Sequence, residues 1–493
     1  MKKFVYIFAI AILIPSFARP QGMIDAFRLS SQHINGTARA AAMGNAFGAL
    51  GGDFTSLSIN PAGIAIYRSS EFVITPSIRF NKSETRLGNK SFMDNKYQLK
   101  FNNVGYVGFI ANNNPSSKVV NFNFGIGVND VSDYSQNFFV ETGASAVSFL
   151  DGVVNWANSE ALSNTYLKQA ISNIEFRDWP TKLAWETYLI DPVEGVDGQY
   201  TNILFEGEKV KQSKTYGQRG GIKEYTFSGG MNINHTVYLG ATLGIHDVSI
   251  SQLTDYTEFL EGNNSFTFTE NQYLDGAGYN LKLGLIYRPT NSFRLGFAYH
   301  TPTYYNLTDE ARLSMQSKLS ETRSSEGINT YKYDFYTPMK AILSGAVIIN
   351  KKALVSVDGE FVDYSSMRFR NGGSYGEDNF TDLNSQIPGV YKGVINLRTG
   401  VEYKVTPQFS LRGGYELYGN PYKPSNTVNE TTLSDNSSVL SCGAGFASKG
   451  FFFDVAYRQS NSKYTLYSPQ PNLGNVALNN TNNKVLFTLG FRF

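Results

Sequence analysis

Gly372, Ser374 and Gly376 spell G-x-S-x-G, a spacing that can lift a nucleophilic serine onto a sharp turn between a buried strand and a helix. Neither flank suits that role: Asn371 precedes the run and Glu377, Asp378 and Asn379 follow it. Residues 48–53 are glycine-rich but lack the Gly-Lys-Ser/Thr of a phosphate loop. The four histidines, His33, His235, His246 and His300, show no metal-ligand spacing. His33 is kept as a candidate haem ligand. Cys442 is a single thiol, so it forms neither an internal disulfide nor a structural zinc site, and it reads as a small strand residue. No catalytic residue, metal or cofactor is expected, and the chain does not read as an enzyme.

Charge points the same way. Lys and Arg number 43 against 41 Asp and Glu, and loss of Lys2 and Lys3 with a leader balances them. No basic field is left to attract nucleic acid. The composition instead favours strands and turns, with 31 Tyr, 36 Phe and 46 Gly.

Positioning elements follow from the pattern. Lys2 and Lys3, the apolar run 4–14 and the small-x-small site Ser16-Phe17-Ala18 predict a signal peptide over 1–18. Past residue 70, apolar and polar residues alternate. Phe293, Leu295, Phe297 and Tyr299 share one face, opposite Arg294, Gly296, Ala298 and His300. Ile395, Leu397, Val401 and Tyr403 oppose Asn396, Arg398, Gly400 and Glu402. The apolar faces end in aromatics, as interfacial girdles do, and the links alternate between short turns and long polar loops. No run is long enough for a membrane helix, so a membrane-bound chain must close into a barrel.

The expected fold is all-β: a 14-stranded antiparallel transmembrane β-barrel over 71–493, with an N-terminal hatch or plug over 19–70. Both ends are expected in the periplasm of a bacterium, the barrel lying in outer-membrane lipid. Val485, Phe487, Leu489, Phe491 and Phe493 share a face, and a terminal strand ending at Phe493 resembles the signal read by barrel-assembly machinery. Residues 131–221 form a long, partly helical extracellular loop in this reading. All three tryptophans, Trp156, Trp179 and Trp185, lie in it, either as the interior of a small cap or as the lining of an apolar outer groove.

Small residues dominate 19–70, which suits a segment confined inside a barrel. The run A-R-A-A-A-M-G-N-A-F-G-A-L-G-G-D from Ala38 to Asp53, followed by Asn60, Pro61, Ala62 and Gly63, resembles the N-terminal hatch of the FadL/TodX family of outer-membrane transporters for hydrophobic compounds. The resemblance implies passive uptake of a hydrophobic small-molecule ligand such as a long-chain fatty acid. It implies that the hatch rearranges and that the ligand leaves sideways through an inward kink in the wall. It also implies that Asn60, Pro61 and Ala62 face that opening, although Asn-Pro is a turn signal in its own right. Arg294, Arg398, Arg412 and Arg458 read as partners of Glu402, Glu416 and Asp454, or as a hold for a carboxylate head group. The competing readings are an accessory barrel of a secretion or surface-attachment system, and a haem uptake receptor.

Overall fold

The computed structural model describes residues 22–32, 34–372, 380–423, 432–433, 435–466 and 476–493. The leader expected at 1–18, His33 and Ser374 lie outside the described residues.

Fourteen antiparallel strands close on themselves. Strand one, Glu71–Leu87, pairs with strand two, Lys90–Ala111. On its other side it pairs with strand fourteen, Val476–Arg492, with Glu71 opposite Arg492. Strand three runs as Val119–Asp133 and then Gln136–Ser145. Strands four, five and six are Val210–Ile233, Val237–Phe259 and Ser265–Tyr287. Strand seven is Phe293–His300 and Tyr304–Lys318, and strand eight Thr322–Tyr336 and Lys340–Ile349. Pro302 and Pro338 stand in those two breaks, where a ladder donor is missing. Strand nine is Ala353–Asp363 and Arg368–Asn371; strands ten to thirteen are Gly393–Lys404, Phe409–Tyr418, Ser437–Ser448 and Phe451–Leu466. No described helix is long and apolar enough to cross a membrane. A closed ladder pairs backbone groups between strands, which is how strands cross lipid.

The alternation read from the sequence is the alternation of the wall. Phe293, Leu295, Phe297, Ile395, Leu397 and Val401 face outward and are exposed, whereas His300, Asn396, Arg398 and Glu402 point into the lumen and are buried. Two hairpins, at Asn234-His235 and Asn350-Lys351, place both central residues at positive φ, the backbone of the tight turns whose twist matches paired strands.

The long loop after strand three is shorter than the sequence suggested. Strand three continues to Ser145 and strand four begins at Val210, so the cap occupies 146–209 rather than 131–221. It holds helices α4 (Phe149–Ser159), α5 (Asn164–Leu167) and α6 (Trp179–Glu186), with a small hairpin of Ile190–Pro192 and Tyr200–Asn202. A further helix, α7 (Thr381–Val390), buries Leu383, Ile387 and Val390. It lies in a link read as polar loop.

Three short helices lie inside the barrel: α1 (Met23–Ser30), α2 (Ala38–Ala42) and α3 (Ser56–Ile59). A 3-10 turn over Pro61–Ile66 then leads to strand one. Thr37 caps α2 by accepting from the Ala40 amide, and its own hydroxyl donates to Asp53 at 2.8 Å. That bond joins the two halves of the hatch.

Candidate functional site

Glycines on the lumen face of the wall set where the hatch sits. A Cβ at Gly400 or Gly414 would fall 2.3 Å from the Met43 carbonyl oxygen or 2.1 Å from the Gly44 amide nitrogen. One at Gly296 would fall 2.2 Å from the Gly48 carbonyl oxygen. These positions lack a side chain because hatch backbone occupies the space.

Polar bonds then fix the hatch. Arg39 donates to Glu402, which also accepts from Arg412, and Arg412 reaches Asp454 at 2.5 Å. Asn45 donates to Glu416, which pairs with Arg458 at 2.6 Å. The Gly48 amide donates to Asp358 and Ser58 donates to Glu224. The arginines singled out in the sequence are thus engaged in wall and hatch. Arg398 pairs with Glu360, an acid that alternation alone does not single out, and Arg294 donates to the Leu50 carbonyl at 2.7 Å.

Asn60, Pro61, Ala62 and Gly63 form one seat. Asn60 accepts from the Ala62 amide at 3.1 Å, which closes the turn. Its amide group also donates to the carbonyls of Gly48, at 2.6 Å, and of Leu285 in strand six, at 3.1 Å. Cβ atoms at Gly240 and Gly284 would collide with Pro61 and Asn60, so strands five and six are shaped to this seat. Gly63 meets Gly51 and Ser56 within the hatch. The resemblance assigned Asn60, Pro61 and Ala62 to the wall opening. The structure seats them on strands five and six, because the bond to Leu285 and the two wall glycines are there.

The discontinuity in the wall lies elsewhere. Strand two is paired with strand three only from Asn103 opposite Asn129 to Ala111 opposite Asn121. Beyond Asn129, strand three stays on strand four, and after the break at Tyr134-Ser135 the segment Gln136–Ser145 pairs with strand four alone. That segment lies against the lumen side of strands one and two: Thr85 donates to the Phe139 carbonyl and Asn81 to the Ser135 carbonyl. Asp133, at the break, is ion-paired with Arg79 of strand one and with Lys100 of strand two, the latter at 2.8 Å. The result is an overlapping seam with an unpaired edge on strand two.

One section of the lumen, beside the hatch body, is apolar. Val131, Ile222, Val248, Leu274, Leu307 and Phe335, from six successive strands, belong to one buried cluster with the aromatics of strands seven to nine. Helix α1 fills its centre with Met23, Ala26 and Leu29. The small-residue pattern marks 19–70 as one plug and does not separate this helix, although Met23, Ala26, Phe27 and Ser30 have helical spacing.

The tryptophans sit in the cap. Trp156 is buried and donates to Asp178 at 2.8 Å; Trp179 is buried and donates to the Ile174 carbonyl. Trp185 is partly buried, with the Lys182 ammonium 5.2 Å from its ring centre. His246 and His300 are buried, one bonded to Tyr305 at 2.6 Å and the other to the Ile59 carbonyl, while His235 lies in a hairpin turn. No group of ligating side chains suited to a metal occurs among the described residues.

No curated protein matches the chain by sequence. Among solved structures, the P. putida toluene transporter TodX is 12% identical with a TM-score of 0.51, covering 93% of this chain and 98% of that one. A Pseudomonas aeruginosa FadL homologue is 13% identical, also with a TM-score of 0.51 and the same coverage. At such identity the likeness establishes the barrel fold alone. The family model for outer membrane protein transport proteins (OMPP1/FadL/TodX) matches residues 215–493, more than half of the chain. The chain therefore belongs to that family of bacterial outer-membrane β-barrel transport channels, which are not enzymes.

Proposed function

We propose that the protein takes up hydrophobic small molecules passively across the outer membrane. The observation that carries this reading is the apolar section of the lumen beside the hatch body, built from inward-facing Val, Ile, Leu, Phe and Tyr of successive strands. A wide water-filled pore has a polar interior instead. A molecule taken from the outer loops would be held in that section and released sideways through the seam between strands two and three. Lateral release keeps an acyl chain out of water, worth about 0.8 kcal/mol per CH₂. Rearrangement of the hatch at Asn60, Pro61, Ala62 and Gly63 is part of the proposal, as is an apolar intake groove beside Trp156, Trp179 and Trp185. Long-chain fatty acids are one substrate class, and the ring compound named for TodX is another.

Both ends are assigned to the periplasm. Strands one and fourteen pair at Glu71 and Arg492, so the chain enters and leaves the barrel at one rim. The short turns at 234–235 and 350–351 fall at this rim as well. Export by a leader at 1–18, and insertion by assembly machinery that reads the strand ending at Phe493, complete the proposal.

The test is uptake of a radiolabelled long-chain fatty acid, and separately of toluene, by cells with and without the gene. Reduced uptake of either in the deletion supports the reading. Equal uptake of both, with a secretion defect in the deletion, would overturn it.

A further inference from the structure

Three cations stand abreast on the lumen face where strand fourteen closes the barrel. Lys484 of strand fourteen is directly opposite Arg79 of strand one and, on its other side, directly opposite Arg458 of strand thirteen. All three are buried, with Arg79 4%, Lys484 6% and Arg458 6% exposed. Residues directly opposite stand about 4.5–5.5 Å apart, and like charges so placed destabilise a sheet. One step along the same face lie Ser77, Leu486 and Ala456 in one direction and Asn81, Asn482 and Ser460 in the other. None of these is charged, so the adjoining positions of the row's own strands supply no acid.

Acids from other strands reach the two ends of the row but not its middle. Arg79 is ion-paired with Asp133 of strand three, and Arg458 with Glu416 of strand eleven at 2.6 Å. No carboxylate of a described residue lies within 4.0 Å of the Lys484 ammonium. That ammonium donates to the side-chain oxygen of Asn35 in the hatch at 2.9 Å, and Arg458 reaches the same oxygen at 3.5 Å. An amide oxygen supplies lone pairs and no charge. The Asn35 backbone amide in turn donates to the Asp130 carbonyl of strand three at 3.1 Å, while the Asp130 carboxylate stays beyond ion-pair distance of Lys484. Lys100 shares Asp133 with Arg79. Four cations, Arg79, Lys100, Lys484 and Arg458, thus face three acids, Asp130, Asp133 and Glu416. The Nε atoms of Arg79 and Arg458 are buried and have no partner among the described residues.

We propose that Arg79, Lys484 and Arg458 bind one small inorganic monoanion of the halide class as a resident counter-ion. Buried charges are stable when paired, and a single negative charge brings this group to neutrality. The row offers an ammonium and two guanidinium groups, all donors, and so selects a ligand that only accepts. The ion lets three like charges stand side by side at the strand that closes the barrel. Closure, and the anchoring of Asn35 beside it, therefore depend on a solute. A cargo head group of the same charge is the other source of a monoanion, and the test separates the two.

Bromide is the probe, because it scatters anomalously. Crystals of the full-length barrel grown with bromide should show an anomalous peak between Lys484 and the two arginines. In solution, the temperature of the heat-modifiable mobility shift should rise when bromide replaces gluconate at constant ionic strength, as linkage to a ligand of the folded state requires. Lys484→Gln keeps a polar group for Asn35 and removes the central charge. It should melt above the unsubstituted barrel in gluconate and lose the rise with bromide. Absence of the peak, or a shift temperature indifferent to bromide, would overturn the site without recourse to any variant. A peak with an undiminished bromide rise in Lys484→Gln would mean an adventitious ion only. If Lys484→Gln melts below the unsubstituted barrel in both salts, Lys484 is the partner of Asp130 and the proposal fails. Loss of the bromide peak on addition of hexadecanoate would give the row to a cargo head group and overturn the resident ion.

Discussion

The Ser58 hydroxyl of the hatch donates to the Glu224 carboxylate of strand four at 2.6 Å. Glu224 is fully buried, pairs with Lys282 of strand six and accepts from His246 of strand five at 3.2 Å. One acid thus gathers three wall strands and the helix that precedes Asn60. Glu224→Ala leaves Lys282 buried without its partner, a loss of about 3–5 kcal/mol. Faster amide exchange over Ser56–Ile59 and a raised ion conductance in planar bilayers are expected. Unchanged values in both would show that this acid does not seat the hatch.

The seat on strands five and six allows a steric test. A Cβ at Gly284 falls 2.1 Å from the Asn60 side-chain oxygen. Gly284→Val should expel Asn60 and Pro61 from the wall while strand pairing persists. Conductance should rise with heat-modifiable mobility retained. Asn60→Ala removes the bonds to Gly48 and Leu285 without adding bulk, so it should give a smaller rise of the same sign, following a loss of about 1–3 kcal/mol.

The cap should answer to pH through Glu258, near the cap end of strand five. It accepts from the Ser148 hydroxyl, the Phe149 amide and Gln212, at the start of α4. Burial nevertheless holds its carboxyl above the ordinary value. A raised carboxyl favours the folded cap while protonated. That contribution is fully present below the ordinary Glu value of about 4.3 and declines as pH rises from there through the raised value. Exchange over Phe149–Ser159, corrected for intrinsic rates, should be faster at pH 7 than at pH 4. Glu258→Gln should flatten the difference.

At the seam, Asp133 holds Arg79 and Lys100. Asp133→Ala strands both cations behind strands one and two. The temperature of the heat-modifiable mobility shift should fall, and exchange should rise over Gln136–Ser145. Lys100→Gln, which leaves the Arg79 pair in place, should do less. Equal effects of the two variants would show that Asp133 does not organise the seam.

Where lipid covers the wall, the sequence shows it plainly. Phe293 to Tyr299 and Ile395 to Tyr403 alternate because one face meets hydrocarbon and the other a polar lumen. The same logic explains the differences. Alternation marks strand four only from residue 222, although it begins at Val210, because its outer half carries Lys211, Gln212, Ser213 and Lys214, where no lipid demands an apolar face. Arg398 stands opposite Asp358 in the register, yet its ion pair is with Glu360, one step along the same face. That choice depends on pairing register, which alternation leaves open. The small residues of 38–63 stand out in the sequence because the backbone there meets wall glycines. The seat of Asn60 does not, because Gly240 and Gly284 are distant in sequence and gain meaning only when strands five and six lie side by side.

Strand five has 23 residues. At about 3.4 Å per residue and a tilt of about 40° it rises roughly 60 Å, against an apolar band of about 25 Å. In the orientation proposed, the barrel is a chimney standing well clear of the lipid.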